Sequence, residues 1–392
     1  MKKILSRIFR VLVLAGMARV ADASEFIPLG DFIEGSFASG ARAISADGST
    51  VVGGGNRYGA ADTFSDAFRW NEQSGLTALE TLPKPVSRTS DARGVSGNGS
   101  IIVGHLNYDS GPVNIEAFRW TAADGVVGMG HLPGGTTKRS NALDVSTNGE
   151  VVVGWSTSQS GPQAIVWRQS TGMVGIGDFP DGEYSSSASA VSADGDVVVG
   201  AGTTATGIQA FRWTSISGMT SLGNLQFDIS DGAVDVSNDG TTIVGWSRGR
   251  TSFTAQAFRW NESIGMQALG DLPGGDFNSQ ALCVSADGAL VLGFGHRSTG
   301  YKAFVWDALH GMRDLQEVLS LEYGLGAQLS NWSLTGAMDI SDDGLSIVGY
   351  GSSPSGSTEA WLVRLDHSLS VPEPAGLTTL LGTLFLRRLR FR

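Results

Sequence analysis

Cysteine is almost absent from the chain. Cys283 is the one cysteine in 392 residues, so no intramolecular disulfide is available in any redox compartment. Histidine is nearly as scarce, and His105, His131, His296, His310 and His367 share no metal-ligand spacing. There is no His-Glu-x-x-His helix, no Cys-x-x-Cys pair and no phosphate-binding glycine loop. The sequence therefore nominates no catalytic residue, no metal ligand and no cofactor. Basic residues are also thin in the body of the chain. The net charge is −11 overall, with +4 in residues 1–23 and +4 in residues 375–392, which leaves −19 between them. A surface of that sign does not displace phosphate counterions, which excludes a nucleic-acid partner.

Glycine is abundant, with 55 residues, and charge spacing typical of exposed helices is missing. One phrase dominates the chain: Ala-x-x-Val-Ser-x-Asp-Gly-x-x-Val-Val-Gly, with small variations. Its Asp-Gly or Asn-Gly turns end at Gly48, Gly99, Gly149, Gly195, Gly240, Gly288 and Gly344, at steps of 51, 50, 46, 45, 48 and 56 residues. A period near fifty residues marks a repeat architecture.

Each unit holds four short segments rich in β-branched and aromatic residues, separated by Gly, Asn and Asp. They are Ala-x-x-Val-Ser, Val-Val-Gly, Ala-Phe-Arg-Trp and Leu-Gly-Asp-Leu. The Asp-Gly turns supply the positive φ of tight hairpins. Four antiparallel strands per unit, repeated seven times, predict an all-β, seven-bladed β-propeller over residues 24–366. The fourth segment follows the third only six times, yet Ile27-Pro28-Leu29-Gly30-Asp31-Phe32 provides a seventh at the start. The N-terminal strand is therefore expected to complete the last blade and close the ring, which removes two exposed sheet edges.

The two ends read as address labels. Lys2, Lys3, Arg7 and Arg10 precede a short apolar run, and Ala21-Asp22-Ala23 is a small-x-small site, so residues 1–23 read as a signal peptide cut before Ser24. Residues 367–374 form a linker ending in Pro372-Glu373-Pro374. Residues 375–392 follow, with a twelve-residue apolar run and then Arg387, Arg388, Arg390 and Arg392. This order resembles the PEP-CTERM sorting signal. The resemblance implies export across the inner membrane, transient anchoring by the apolar segment, processing by an exosortase-type membrane enzyme, and residence in the envelope or exopolysaccharide matrix. The repeat unit itself resembles the HAF repeat of probable extracellular proteins over about residues 26–365, and its hairpin plan is similar to kelch propellers. That family implies export and a propeller-like fold but no reaction.

Binding is expected where the loops vary, on the face carrying the connections between second and third segments and between successive units. The residues that follow each Val-Val-Gly are Gly54, His105, Trp155, Ala201, Trp246, Phe294 and Tyr350. Of these, His105, Trp155, Trp246, Phe294 and Tyr350 are the candidate ligand-binding residues, with aromatic faces suited to sugar rings. The recurrent tryptophans of the third segment are expected in the core. Arg69, Arg119, Arg212 and Arg259 are placed to pair with Asp31, Asp178 and Asp271. Asp144, Asp235 and Asp339 share one slot of the innermost strand. The expected function is non-catalytic binding of a glycan or protein. The alternatives are a polysaccharide hydrolase or lyase, marked by converging acids, and a purely structural matrix protein.

Overall fold

The computed structural model describes residues 23–32, 38–56, 65–79, 87–108, 114–225, 228–249 and 255–369. Ala23 lies at the edge of this set. Ala21 and the rest of the leader, and Pro372, Glu373, Pro374, Arg387, Arg388 and Arg390 of the sorting tail, lie outside the described residues. No helix among those described is long and apolar enough to cross a membrane.

The turn of the repeated phrase builds itself from local hydrogen bonds. In the first unit Ser45 Oγ donates to Asp47 Oδ1 (2.6 Å), which also accepts from the Ser49 amide (2.9 Å). The Thr50 amide in turn donates to Ser45 Oγ (3.0 Å). The same set recurs around Asn98, Asn148, Asp194, Asp239, Asp287 and Asp343. Gly48 ends the turn at φ +69, and a Cβ there would meet Ser346 Oγ at 2.6 Å. Glycine is thus required both by the backbone and by the neighbouring turn.

Among the described residues the 28 strands fall into antiparallel groups of four. Group 1 is Ser39–Ile44, Val51–Asn56, Ser65–Asn71 and Gly75–Ala78. The first strands of groups 2 to 7 are Ser87–Val95, Ser140–Val145, Ser186–Val191, Asp228–Val236, Ser279–Val284 and Ser333–Ile340. Groups 4 and 5 are linked by one parallel bridge, Ile208 to Ser230. In group 7 the fourth place is taken by the N-terminal strand Glu25–Gly30, which pairs antiparallel with Thr358–Arg364. The result is an all-β fold of four-stranded antiparallel sheets with one short helix.

Each first strand carries a bulge inside Ala-x-x-Val-Ser, between Ala41 and Ala43 in group 1 and at the same place in the other six. The bulge turns one residue per group toward a common axis: Arg42, Arg93, Leu143, Ser189, Val234, Leu282 and Met338. The second strand then crosses very close to the first. A Cβ on Gly53 would lie 2.1 Å from the Gly40 carbonyl oxygen and 2.9 Å from the Phe68 ring. The Gly53→Ala change should therefore cost about 3 kcal/mol through overpacking. Gly75→Ala, at φ +63 with nothing within 4 Å, should cost about 1 kcal/mol through backbone strain alone. Urea midpoints of the two variants in the reverse order would refute this account of the conserved glycine slot.

The sheets pack face to face. Phe68, Phe118, Phe211, Phe258 and Phe304, from the third strands, are completely buried between neighbouring sheets. The third-strand tryptophans were expected to fill that core, and they do so only in part: Trp70 is buried, whereas Trp120, Trp167, Trp213, Trp260 and Trp306 are half-buried at the margin. Trp361 stands out of register with them. It sits opposite Gly349, as Phe68 sits opposite Gly53, and takes the phenylalanine slot because it directly follows Ala360.

Two polar devices fasten neighbouring sheets together. A buried serine at the head of the first strand accepts from a third-strand amide of the preceding sheet. The Ala67 amide donates to Ser90 Oγ (2.8 Å), and Ala117 does so to Ser140 (2.9 Å) and Ala360 to Ser39 (3.0 Å). Ser39 Oγ donates onward to the Gly30 carbonyl (2.8 Å), as Ser140 does to Gly130 and Ser279 to Gly270. The second device is the aspartate slot. Asp144, Asp235 and Asp339 each accept from the next amide of their own strand and from an amide of the following first strand: Val191 (2.9 Å), Val284 (2.8 Å) and Ile44 (2.8 Å). Each aspartate reaches over a small residue, Ala190, Cys283 or Ala43, which explains why the slot alternates in size. Cys283 is a buried thiol in that role.

The expanded segment before group 7 holds the helix Leu315–Glu322, capped by Asp314. Leu315, Val318, Leu319, Leu325, Leu329 and Trp332 join Phe26 and Trp361 in one core cluster. Gln328 Oε1 accepts from the Phe26 amide (2.9 Å), so this insertion covers the free edge of the N-terminal strand.

Candidate functional site

The first strands lie side by side in chain order, and the first strand of group 1 lies beside that of group 7. The residues after each Val-Val-Gly face, across the hairpin, the residue before each conserved Ala. The pairs are Gly40 with Gly54, Asp91 with His105, Asn141 with Trp155, Ser187 with Ala201, Gly232 with Trp246, Gln280 with Phe294, and Gly336 with Tyr350. These seven pairs form a belt at the ends of the strands that carry the variable loops. Large residues are accommodated by small partners: a Cβ on Gly232 would stand 2.8 Å from the Trp246 ring, and one on Gly336 would stand 2.9 Å from Tyr350.

Group 1 is the exception, because both members of its pair are glycine. The space over Gly54 is taken by Asp91, whose Oδ1 would stand 2.6 Å from a Cβ there, whereas a Cβ on Gly40 would meet only Tyr350 Cβ at 3.9 Å. A cavity of about 630 Å³ lies between Tyr350 of group 7 and the His105–Asp91 pair of group 2. Gly40, Gly54 and Gly55 form its floor, and Arg42, Arg93 and Ser90 line its walls. The next smallest pair, Ser187 with Ala201, borders a second cavity of about 360 Å³ that Trp155 and Arg139 line.

The candidates read from sequence are divided among these places. His105 and Tyr350 share the larger cavity. Trp155 lines the smaller one, with the Arg139 guanidinium 5.8 Å from its ring. Trp246 lies over Gly232 with Arg248 at 5.5 Å, and Phe294 packs edge-on to Tyr301 at 5.3 Å. The five do not form one continuous platform, since each belongs to a different sheet.

Arg42, Asp91 and Arg93 were not singled out by sequence, although the x of Ala-x-x-Val-Ser marks two of them and the third precedes that phrase. The Arg93 Nε is 2.9 Å from Asp91 Oδ2, and the Arg42 Nε is 3.6 Å from the same oxygen. Asp91 keeps 14% of its side chain exposed, against 36% for Arg42 and 34% for Arg93. The carboxylate is covered while the guanidiniums reach the cavity. Burial holds the His105 imidazolium below its usual pKa, Asp91 opposes this, and Arg93 and Arg42 reinforce it. His105 is therefore neutral at neutral pH, with a buried Nδ1 that has no hydrogen-bond partner. Asp91 Oδ1 is likewise buried without a partner. The charged cluster carries net +1 inside a strongly acidic protein.

Beneath this site the axial channel, a cavity of about 230 Å³, is lined by Arg42 and Arg93 together with the three aspartates. Burial pushes the Asp144 carboxyl up to about 6 and Asp235 up to about 7, against the pull of the backbone amides they accept from, and raises Asp339 as well. Both oxygens of each aspartate are already engaged by amides, and no group of three or more His, Cys, Asp or Glu able to hold a metal occurs among the described residues.

Two other sequence features take structural roles. Asp178 accepts from the Phe179 and Ser185 amides and Asp271 from Leu272 and Asn278, so these aspartates bind their own loops, while Arg69 lies 5.8 Å from the Trp120 ring. Gly245-Trp246-Ser247-Arg248-Gly249 fits the Gly-x-Ser-x-Gly pattern of hydrolase nucleophiles. Ser247, however, lies within the strand Ile243–Gly249, is buried, and donates to Asp231. It has none of the exposure of a nucleophile elbow.

No protein-family model and no curated protein matches the chain. Solved structures do. The β-propeller domain of the Trilobed protease from Pyrococcus furiosus, which has an open Velcro topology, is 11% identical, covers 88% of this chain and 99% of its own, and gives a TM-score of 0.54. Oligogalacturonate lyase from Vibrio parahaemolyticus is 9% identical, with coverage of 88% and 97% and a TM-score of 0.51. TolB from Acinetobacter baumannii is 12% identical, with coverage of 86% and 80% and a TM-score of 0.43. At such identities the likeness is one of fold. The chain has a β-propeller-type scaffold.

Proposed function

We propose that the chain is an exported, seven-bladed β-propeller that binds a glycan at the cavity above Gly40 and Gly54. The observation that carries this reading is the break in the belt. One of seven otherwise similar positions lacks both side chains, and the space left open beside Gly40 is bordered by hydrogen-bonding groups and one aromatic ring. Its volume falls in the range of about 300–1,000 Å³ usual for small-ligand sites. Closure of the ring by the N-terminal strand is supported by its pairing with Thr358–Arg364 and by the Ser39 bonds to Ala360 and Gly30. Export through the residue 1–23 leader, exosortase-type processing at Pro372-Glu373-Pro374, and retention in the envelope or exopolysaccharide matrix complete the proposal. They are supported by the sequence resemblances alone.

A hydrolase is disfavoured, because that chemistry uses two carboxyl groups about 5–10 Å apart. Asp91 is the one carboxylate among the described residues lining the cavity, and two guanidiniums hold it. A lyase is a second reading, favoured by the neutral His105 that lines the cavity beside those guanidiniums. A glycan array probed with residues 24–370 tests binding. Tyr350→Ala and His105→Ala should each weaken it about tenfold or more, while Trp246→Ala leaves it unchanged. Ultraviolet absorbance from an unsaturated sugar product would establish the lyase instead. Absence of both binding and turnover would remove the site.

A further inference from the structure

We propose that Arg42 and Arg93 make this cavity a subsite for the carboxylate of an acidic sugar, a uronate residue within a polysaccharide. The inference rests on the glycan-binding reading and adds the ligand's charge. All seven bulge positions turn toward the axis, and only groups 1 and 2 place a cation there. Five of the seven bear Leu, Ser, Val, Leu and Met, so the fold does not need a charge at this point. The two arginines are adjacent, and both border the one gap in the belt.

Asp91 gives them a reason to stay extended. Its Oδ2 takes the Nε side of both guanidiniums, at 2.9 and 3.6 Å, and so positions them side by side. Among the described residues the terminal nitrogens of Arg42 and Arg93 have no hydrogen-bond acceptor, and both side chains are about one-third exposed. A carboxylate between two guanidinium forks is bound by charge-assisted, geometrically matched hydrogen bonds. One ligand carboxylate brings the cluster from net +1 to neutrality, whereas a dianion would leave it overcharged beside buried Asp91. The remaining lining suits the rest of a pyranose. His105 lines the cavity as a neutral imidazole, and Tyr350 presents a ring for the apolar face of the sugar. The surrounding acidic surface repels polyanions at long range. Recognition is then local and confined to this gap.

The test uses the secreted chain of residues 24–370, a uronate tetrasaccharide, and the same tetrasaccharide with its carboxyl groups reduced to alcohols, both titrated calorimetrically. The uronate form should bind at least about tenfold more tightly than the reduced form. Arg42→Gln and Arg93→Gln should each erase most of that ratio, weakening the uronate form far more than the reduced form. Arg42→Lys should retain only part of it, since an ammonium lacks the planar fork. Gly40→Trp should block both sugars while the thermal midpoint stays in place, because a Cβ at Gly40 meets only Tyr350 Cβ, at 3.9 Å. If the reduced sugar binds as tightly as the uronate, the carboxylate subsite is wrong and the glycan site stands. If neither sugar binds, both proposals fall together.

Discussion

A chain that begins at Phe32 will fail to fold cooperatively. It lacks Phe26 and Leu29, both buried, and it leaves the strand Thr358–Arg364 with an open edge. Phe26 contacts Trp332 edge-on at 5.0 Å and shares a core cluster with the helix Leu315–Glu322 and with Trp361. Leu29 belongs instead to the cluster joining groups 1 and 7, with Ala41, Phe68 and Leu362. Losing a phenylalanine and a leucine from such places costs about 5 kcal/mol or more, out of a usual total of about 5–15. The Ser39 hydroxyl also loses its Gly30 acceptor, and Asp366 loses Ser24, whose Oγ donates to it at 2.8 Å. Urea unfolding followed by tryptophan fluorescence should show a broad transition at a much lower midpoint. A synthetic peptide of residues 24–31, added in excess, should restore part of it. A truncated chain as stable as the full one would mean that the last sheet does not depend on its N-terminal strand.

Stability should fall as pH rises from about 5 to 8. Asp144 and Asp235 have folded pKa values raised to about 6 and about 7, above the ordinary aspartate value of about 4. The folded state therefore holds protons that the unfolded chain has released. Their stabilising contribution is complete below about pH 4 and is lost as pH rises through the folded values. For Asp144 alone the whole loss is about 3 kcal/mol, of which about half falls between pH 5 and pH 8. Two sets of groups work in the other direction. Hydrogen bonds from Ser192 and the Asp196 amide hold Asp194 below its usual value, so its contribution disappears only at lower pH. His105, kept neutral by burial, favours the folded state as pH rises toward the ordinary histidine value of about 6.5. The aspartates are isolated by comparing the wild type with an Asp144→Asn, Asp235→Asn double variant at pH 5 and pH 8. The wild type should lose denaturant midpoint between those conditions and the variant should lose much less. Equal losses in both proteins would assign the pH dependence elsewhere.

Much of the scaffold was legible because its signals are local. Ser45, Asp47 and Gly48 specify a turn with bonds spanning a few residues, so seven copies could be counted from sequence. The offset of Ile27–Phe32 pointed to its pairing partner for the same reason. Other features depended on register across strands or between sheets. The half-buried tryptophans looked like core because aromatic repetition reveals recurrence and not depth. The residue two before each one, a phenylalanine or, before Trp167, Ile165, fills the inter-sheet space because it lies against the glycine of the second strand. Asp178 and Asp271 looked like partners for the third-strand arginines, yet nearby backbone amides of their own loops reach them first. Ser39, Ser90 and Ser140 escaped notice, since their bonds run to a neighbouring unit.

The candidate site was visible only in outline. His105 and Tyr350 were read from the residue after Val-Val-Gly, and the same column showed Gly54 and Ala201 as gaps. What a gap means depends on the residue facing it, and the pairing of Gly54 with Gly40 is a matter of register. Arg42 and Arg93 stand fifty-one residues apart and come together only where group 2 packs on group 1.

By itself, the sequence determined the repeat, the turns and the strand content, because backbone conformation and hairpin hydrogen bonding are set within a few residues. Only the tertiary structure decided that His105, Tyr350, Arg42, Asp91 and Arg93 share one cavity. Side chains from three different sheets converge there, and the space left open beside Gly40 exists only once the neighbours on either side are in place.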